Sequence, residues 1–313
     1  GAGLRRRLTG DGADPFAGAT AYRLLEGEPA GAGIRRIVLA RVDDALAELR
    51  GETASSPAEA VHEARKDVKK VRAALRLVRG ELGDEVHRRE NTHYRDVGRM
   101  LSEMRDAEVR VESLDALIER FDAALEGRFA RLREAFESEL AEARDGGSLQ
   151  RSMAEAAAAL NQGRPRVSSL PLAEDGWEAL APGVHRSYRR GRKRMNKVTE
   201  EPSAENLHDW RRRVKDLWYQ LRIVRVFNPA LIGQLIRETD DLADHLGDDH
   251  DLALLREQGA RRVKEFDTPD DQRLLFELID RRRGELQFAA ISLGHRVYKD
   301  KPKRFLKRLV RPA

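Results

Sequence analysis

A row of basic side chains headed by a histidine occurs twice in this sequence. The first copy, VHEARKDVKKVRAALRLVR, occupies residues 61–79, and its polar positions fall on one narrow face of a helix. That face carries His62, Arg65, Lys69, Arg72 and Arg76. Helix surfaces usually mix both charge signs, so that residues four apart can pair, but this face is almost purely cationic. Cations one turn apart in a line predict contacts with an extended ligand that carries regularly spaced oxyanions, which arginine can bind bidentately.

The second copy, LHDWRRRVKDLWYQLRIVR at residues 207–225, keeps both the apolar face and the basic face. Its basic positions are His208, Arg211, Lys215 and Arg222, each displaced by the 146 positions that separate His62 from His208. Trp218 replaces the arginine of the first copy, so the second row is expected to bind anions less well at that point. We infer an internal duplication that produced two related halves.

Several other residues are candidates for the same anion site. They are Arg35, Arg36 and Arg41 from the first predicted helix; Arg186, Tyr188, Arg189, Arg190 and Lys193 from its counterpart 150 positions later; Arg99 and Arg105 from the third predicted helix; and Tyr219, whose hydroxyl could donate. The alternative for any single basic row is a solvated face balanced by acids on neighbouring helices. Two matching copies, together with an acid-free run of seven basic residues from position 186 to 197, favour anion binding.

The two histidines lie near the predicted starts of their helices. A histidine there can donate a hydrogen bond to a phosphate oxygen, and the helix N-terminus itself favours anions. Alternatively, each histidine could cap its helix or bond a carboxylate. Neither His62 nor His208 has a second ligand four residues later, so we predict no metal site and no cofactor.

A cluster of aspartates is the strongest competing signal. Asp240, Asp241 and Asp244 form a D-D-x-x-D pattern, which in helical isoprenoid synthases holds magnesium ions that bind a diphosphate. Arg95, Asp96 and Arg99 occupy the corresponding positions of the first half, and the aromatic content of 5% is low for a pocket that shields a carbocation. We therefore favour pairing of these aspartates with basic residues on neighbouring helices. No nucleophile or phosphate-loop motif is present, and no catalytic residue is predicted.

Composition limits the class of protein. Charged residues make up 36% of the 313 residues, and the balance of Ala, Leu, Arg and Glu favours long solvated helices over sheets. The net charge is only +5, so any strong positive field must come from clustering. Cysteine is absent, and no apolar run approaches the length of a membrane span. We expect a soluble cytoplasmic protein with no membrane partner.

The elements that must position these residues are predicted to be helices throughout. Residues 1–28 are expected to be a loose or extended lead-in, with one helical half over 29–165 and the other over 166–313. Ser56, Pro57 and Glu59 predict the start of the first histidine helix, and Ser203 that of the second. Predicted helices also cover about 84–104, 231–246, 269–293 and 302–309. A short helix over 153–160 is expected to lead to the junction of the halves at residues 163–165, and Trp210 and Trp218 to pack between the halves.

The sequence resembles the CHAD family, through the H-x-x-R-x-x-x-K pattern that His62 and His208 each begin in an otherwise helical chain. The resemblance extends from about residue 22 to about residue 309. It implies an all-α fold of two related helical-bundle halves with pseudo-twofold symmetry, packed around a central basic channel. It also implies non-catalytic binding of inorganic polyphosphate as partner, with polyphosphate granules as a candidate location.

Nucleic acid is the alternative ligand, because basic helices and a pI near 9.5 suit it equally well. The scarcity of aromatic residues argues against stacking on the bases of single strands, and no helix-turn-helix or other nucleic-acid recognition motif is apparent. A magnesium-dependent diphosphate enzyme that uses the aspartate cluster is the third hypothesis. It predicts that Asp240, Asp241 and Asp244 converge on a cavity.

Overall fold

The computed structural model describes residues 22–53, 56–144, 146–173 and 175–310. Within these ranges the chain forms eleven α-helices and no β-strand, which confirms the all-α prediction. The helices are α1 (Ala30–Leu49), α2 (Pro57–Leu77), α3 (Arg79–Met100), α4 (Ser102–Phe121), α5 (Ala130–Arg144), α6 (Gly146–Ser168), α7 (Gly176–Glu200), α8 (Ala204–Ile223), α9 (Pro229–Arg261), α10 (Pro269–Val297) and α11 (Pro302–Leu309).

The two histidine helices, α2 and α8, begin where their capping residues predict. The Ser56 hydroxyl accepts a hydrogen bond from the main-chain nitrogen of Glu59 over 3.3 Å, and Pro57 is the first helical residue. The Ser203 hydroxyl accepts from the main-chain nitrogen of Asn206 over 3.2 Å. Each cap satisfies one of the amide groups that a helix start leaves without an intrahelical partner.

Three predicted helix boundaries are wrong. Residues 163–165 do not end a helix, because α6 continues through Pro165 to Ser168, and the described residues 169–173 that follow are not helical. The third helix ends at Met100 rather than at 104, and a turn at Leu101 separates it from α4. Helix α9 also exceeds its predicted range, since it runs unbroken for 33 residues.

The described part of the lead-in is packed rather than loose. Tyr22 is 2% exposed, and its hydroxyl donates to the main-chain oxygen of Lys70 over 3.0 Å. The main-chain nitrogen of Leu24 donates to the oxygen of Ile223 over 3.0 Å. Residues 22–28 therefore join the helices α2 and α8, whereas residues 1–21 of the predicted lead-in lie outside the described residues.

One hydrophobic core extends through both predicted halves. It includes Val71 of α2, Val184 of α7 and Leu221 of α8 in one continuous cluster. A smaller second core, which includes Leu117 of α4 and Ile279 of α10, joins α4 and α5 to the later part of α9 and to the first two thirds of α10. Because burial of apolar side chains is the dominant favourable term in folding, the shared core holds the halves together. The pseudo-twofold relation between the halves stays a prediction.

Direct contacts join α2 to α8. Arg76 forms an ion pair with Asp216 over 2.8 Å, and the buried side-chain amide of Gln220 donates to the main-chain oxygen of Ala73 over 3.3 Å. The two repeated basic helices therefore cross close to each other. No helix in the described part of the chain is both long and apolar enough to cross a membrane.

Candidate anion-binding site

Lys69 lies where the two repeated basic helices meet. Its side chain reaches solvent, and it has no hydrogen bond or ion pair with any residue that the structure describes. The pKa of its ammonium group is lowered to about 8, first by burial and then by the positive charges of Arg65, Arg211, Lys215 and Arg105. These five residues, the central cluster, come from α2, α4 and α8. The fold thus brings predicted ligands from both halves together, and an anion placed there would relieve their mutual repulsion.

The two arginines that correspond in the repeats differ in their present partners. Arg65 donates from Nη1 to the main-chain oxygen of Leu101 over 2.6 Å, and its Nη2 lies 3.7 Å from the exposed carboxylate of Asp106. The Nε of Arg211 is buried and has no hydrogen-bond partner in the described residues. A buried donor left unpaired costs about 1–3 kcal/mol, and this Nε packs towards Gly247 of α9.

The histidines of both repeats flank the central cluster. Burial, followed by the charge of Arg105, lowers the pKa of His62. Burial, followed by the charge of Arg211, lowers the pKa of His208, whose ring centroid lies 4.2 Å from that of His250. The buried Nδ1 of His208 has no hydrogen-bond partner among the described residues. At neutral pH both imidazoles are therefore largely neutral, and each can still donate one N–H to a phosphate oxygen.

Beyond the central cluster, the row on α2 continues towards α7. Arg72 donates to the side-chain oxygen of Asn91 over 3.3 Å, and burial together with the charge of Arg76 lowers its pKa to about 10. Asp216 of α8 pairs with Arg76 on one side and with Arg213, over 3.0 Å, on the other. One carboxylate therefore holds cations of both repeated helices in fixed positions.

Helix α7 adds unpaired cations at this end of the row. Arg186, Arg189, Arg190 and Lys193 make no ion pair with any described residue. Burial lowers the pKa of Arg190, and the charge of the neighbouring Arg213 lowers it further. This arrangement is consistent with the prediction that α7 contributes to a positively charged surface.

Both predicted tyrosine ligands are located in the core. Tyr188 is fully buried, stacks on Phe305 with ring centroids 3.8 Å apart, and donates its hydroxyl to the main-chain oxygen of Asp300 over 3.0 Å. It cannot reach a solvent-borne anion, and the prediction for Tyr188 is wrong. Tyr219 is 7% exposed and makes an edge-to-face contact with Tyr22, so its ring is largely buried in the core.

The predicted arginines of α1 are already engaged. Arg36 pairs with Glu28 over 2.6 Å, and Arg41 pairs with Asp67 over 3.1 Å. Arg35 donates to a main-chain oxygen over 3.3 Å. These contacts neutralise or occupy the guanidinium groups, and they argue against a direct role of α1 in holding an anion.

Trp218, which replaces the arginine of the first repeat, supports two cations instead of supplying one. The Nζ of Lys215 lies 4.4 Å from the centroid of its ring, and the Cζ of Arg222 lies 5.0 Å from it. Attraction between a cation and the face of an indole holds these side chains in place. Trp210, predicted to pack between the halves, is completely buried, and its indole lies against Gly294 of α10 in the same half.

The two predicted arginines near the junction of α3 and α4 differ in charge environment. Arg99 is exposed and lies 3.5 Å from Asp96. Arg105 belongs to the central cluster, although it also pairs with Glu108 over 2.5 Å and with Glu112 over 3.0 Å. Arg105 is therefore well placed to contact an anion, whereas nothing in the structure brings Arg99 to the cluster.

Comparison with known proteins identifies the fold. A family model for the CHAD domain matches residues 36–259. The chain belongs to the CHAD family. The crystal structure of the CHAD domain from the plant Ricinus communis is similar, with a TM-score of 0.54 and 17% sequence identity over 88% of this chain and 95% of that one. No curated protein matches the chain in a sequence comparison.

Some basic residues of this CHAD domain were not predicted as ligands. Arg79 follows Arg76 by three positions, but it already belongs to α3 and pairs with Asp84 over 2.8 Å. His87 and His250 lie outside the repeated helices, and no sequence pattern connects them to the site. These histidines lie near the site because α3 packs beside α2 and α9 packs beside α8.

The aspartate cluster on α9 of the CHAD domain faces basic partners. Asp244 lies 3.8 Å from the ammonium of Lys215, and Asp249, which follows the cluster on the same helix, is buried and pairs with Arg283 over 3.0 Å. No three His, Asp or Glu side chains in the described ranges are grouped so that they could hold a metal ion. These contacts favour the pairing role over the magnesium-binding alternative.

Proposed function

We propose that this CHAD domain binds inorganic polyphosphate without catalysis, along a basic channel lined by the two repeated His/Arg/Lys helices. Membership of the family supports the choice of ligand. The observation that carries the proposal is the convergence of Arg65, Lys69 and Arg105 with Arg211 and Lys215 around an ammonium group that has no acidic partner among the described residues.

Polyphosphate suits this arrangement for an electrostatic reason. Each unit of the polymer carries negative charge, so one chain can meet successive cations along α2 and α8 and release the counterions bound to it. Arginine binds phosphate oxygens in a planar fork, whereas lysine acts as a point charge. The row from Arg65 to Arg76 spans 11 residues of helix, or about 17 Å, which calls for an extended anion rather than a single phosphate.

A binding role is favoured over hydrolysis by the kind of groups that recur in the two repeats. They are cations and histidines, which bind phosphate oxygens and neutralise part of the negative charge of a bound chain. Hydrolysis would in addition require a positioned nucleophile or an activated water. We further propose that the protein acts in the cytoplasm, where polyphosphate granules would be its partner.

Competition binding at fixed, near-physiological salt tests the proposal. Labelled long-chain polyphosphate would be displaced by duplex DNA, by RNA, by tripolyphosphate and by free phosphate, for the wild type and for Arg65→Ala/Arg211→Ala. Arg261→Ala/Arg273→Ala, which removes two exposed arginines of α9 and α10, is the matched control for net charge. Thermal unfolding of each variant checks that it is folded.

We expect polyphosphate to be preferred by orders of magnitude, and the preference to be lost in the double variant but kept in the control. Equal competition by DNA or RNA at matched phosphate concentration would contradict the proposal, since the basic surface would then bind any polyanion. Equal losses in both variants would also contradict it, because the central cluster would then have no special role.

A further inference from the structure

Helix α7 carries a cationic surface that extends beyond the repeated histidine helices. Seven basic residues occur between positions 186 and 197 without an acid, and in the described residues Arg194 alone of these makes an ion pair, with Asp209 over 3.1 Å. At 100° per residue, Arg186, Arg190, Lys193 and Lys197 share one stripe of the helix. Arg189 lies beside that stripe. Such a concentration of unpaired charge is costly unless something of opposite sign binds to it.

Two glycines fix this helix against its neighbours. A Cβ atom on Gly183 would lie 1.9 Å from the main-chain oxygen of Leu77, so α7 rests directly on the end of α2. A Cβ atom on Gly191 would lie 2.2 Å from the hydroxyl of Tyr298. The close approach at Gly183 places Arg186 next to the end of the basic row on α2, and the α7 cations continue that row.

Two buried side-chain nitrogens at this junction have no hydrogen-bond partner among the described residues. The Nη1 of Arg186 and the Nε2 of His87 are both buried without a hydrogen bond to any described residue. Burial, followed by the charges of Arg79, Arg76 and Arg186, lowers the pKa of His87 to about 4. A phosphate oxygen at this point would accept hydrogen bonds from the guanidinium and would remove the repulsion among the surrounding arginines.

The cations continue onto α11, which lies outside the part of the chain that the family model matches. The stacking of Tyr188 on Phe305 seats α11 on α7, and Arg308 pairs with Asp300 at the same contact. Lys303 is exposed on α11, and its charge, after burial and the charge of Arg189, lowers the pKa of His185 on α7.

We propose that the α7–α11 surface, formed by Arg186, Arg189, Arg190, Lys193 and Lys303, is an outer extension of the polyphosphate path and gives the protein its preference for long chains. The inference rests on the proposed function. A short oligophosphate is held at the central cluster alone, whereas a long chain occupies the central cluster and then follows α7 outward. Arg186 to Lys197 adds about 17 Å of helix surface to the path.

The test compares two triple variants with equal loss of charge. Arg189→Ser/Lys193→Ser/Lys303→Ser removes three exposed cations of the surface, and Arg261→Ser/Arg273→Ser/Arg281→Ser removes three exposed arginines elsewhere. Dissociation constants are measured at one salt concentration for long-chain polyphosphate, tripolyphosphate and duplex RNA, with Arg65→Ala/Arg211→Ala as a reference. Circular dichroism confirms that the variants keep their helices.

We expect the α7–α11 variant to lose about tenfold or more in affinity for long chains, with tripolyphosphate affinity unchanged and the control within about twofold of wild type. Equal affinity of the two triple variants for long chains would overturn the extension. So would an equal loss for tripolyphosphate, or a loss confined to RNA. If the wild type itself fails to prefer polyphosphate, the proposed function fails and the extension fails with it. If only the reference variant loses affinity, the central site stands and the extension is rejected.

Discussion

Helices α1 and α7 are related in sequence, but their charges have opposite surroundings. In α1, Arg36 is paired with Glu28. In α7, the corresponding Arg186 has a buried donor without a partner and lies near the cation of Arg79. The basic side chain of α1 is thus neutralised by a residue of the lead-in, whereas that of α7 is not. The two related helices differ in charge, and Arg186, Arg189, Arg190 and Lys193 of α7 form no ion pair with any described residue.

The largest difference between α1 and α7 is expected when the matching glycines, Gly33 and Gly183, are each replaced by alanine. A Cβ on Gly183 would meet main-chain atoms of Leu77 at 1.9 Å, whereas one on Gly33 would meet side-chain ends, the nearest being Leu24 Cδ2 at 2.2 Å. Side-chain ends can move and a helix backbone cannot. We expect Gly183→Ala to lower the free energy of unfolding by about 3 kcal/mol, and Gly33→Ala by about 1 kcal/mol or less. Urea denaturation measures both, and equal losses would show that α7 is not held rigidly on α2.

The matched arginines test the charge difference itself. We expect Arg186→Gln to weaken polyphosphate binding by roughly tenfold, about 1.4 kcal/mol, without lowering stability, because it removes repulsion in the free protein. Arg36→Gln should leave affinity unchanged and lower the free energy of unfolding by up to about 1 kcal/mol, since Glu28 loses its partner. Calorimetric titration and urea denaturation give the two quantities. Loss of affinity in Arg36→Gln would show that α1 also contacts the anion.

A smaller effect is expected from pH, and it distinguishes two adjacent lysines of α2. Lys69 faces the central cluster with its pKa lowered to about 8, whereas Lys70 pairs with Asp67 over 2.6 Å on the side of α1. A bound anion favours the protonated amine, so binding raises the pKa of Lys69. Affinity should therefore be full below pH 7 and fall several-fold as the pH rises from about 8 towards 10.

The lysine-to-arginine variants provide the control, because arginine stays charged in this range. Lys69→Arg should flatten the pH profile measured by calorimetric titration, and Lys70→Arg should leave it as in the wild type. A profile that responds equally to both variants would mean that the pH dependence arises elsewhere.

Local signals were sufficient to predict the histidine helices. The apolar face, the serine caps and the repeated basic positions determine α2 and α8, and none of these depends on a distant residue. The continuation of α6 through residues 163–165 could not be predicted in this way. A Cβ on Gly163 would lie 2.6 Å from the ring of His93, so contact with α3 keeps the segment helical although Pro165 lacks an amide hydrogen.

The least predictable feature was which candidate ligands are already engaged by other residues of the protein. Nothing in the sequence indicates that Glu28 reaches Arg36, or that Tyr188 turns inward to stack on Phe305, because both contacts depend on how α1 and α11 pack. A helical wheel identifies which residues share a face, but it does not show what that face contacts. For α7 the sequence was a better guide to which cations stay unpaired, because its acid-free run has no acid nearby in the sequence that could pair with them.

The crossing of α2 and α8 has a consequence for how the protein is made. The hydrogen bond from Gln220 to Ala73 and the ion pair between Arg76 and Asp216 join residues 147 and 140 positions apart. Contacts of such long range form late in folding, because the loop between them must first be closed. During synthesis, the first half therefore emerges with its basic row still unmatched. The proposed polyphosphate site is complete only once α8 has docked, so on this proposal the ligand would stabilise completed molecules rather than nascent chains.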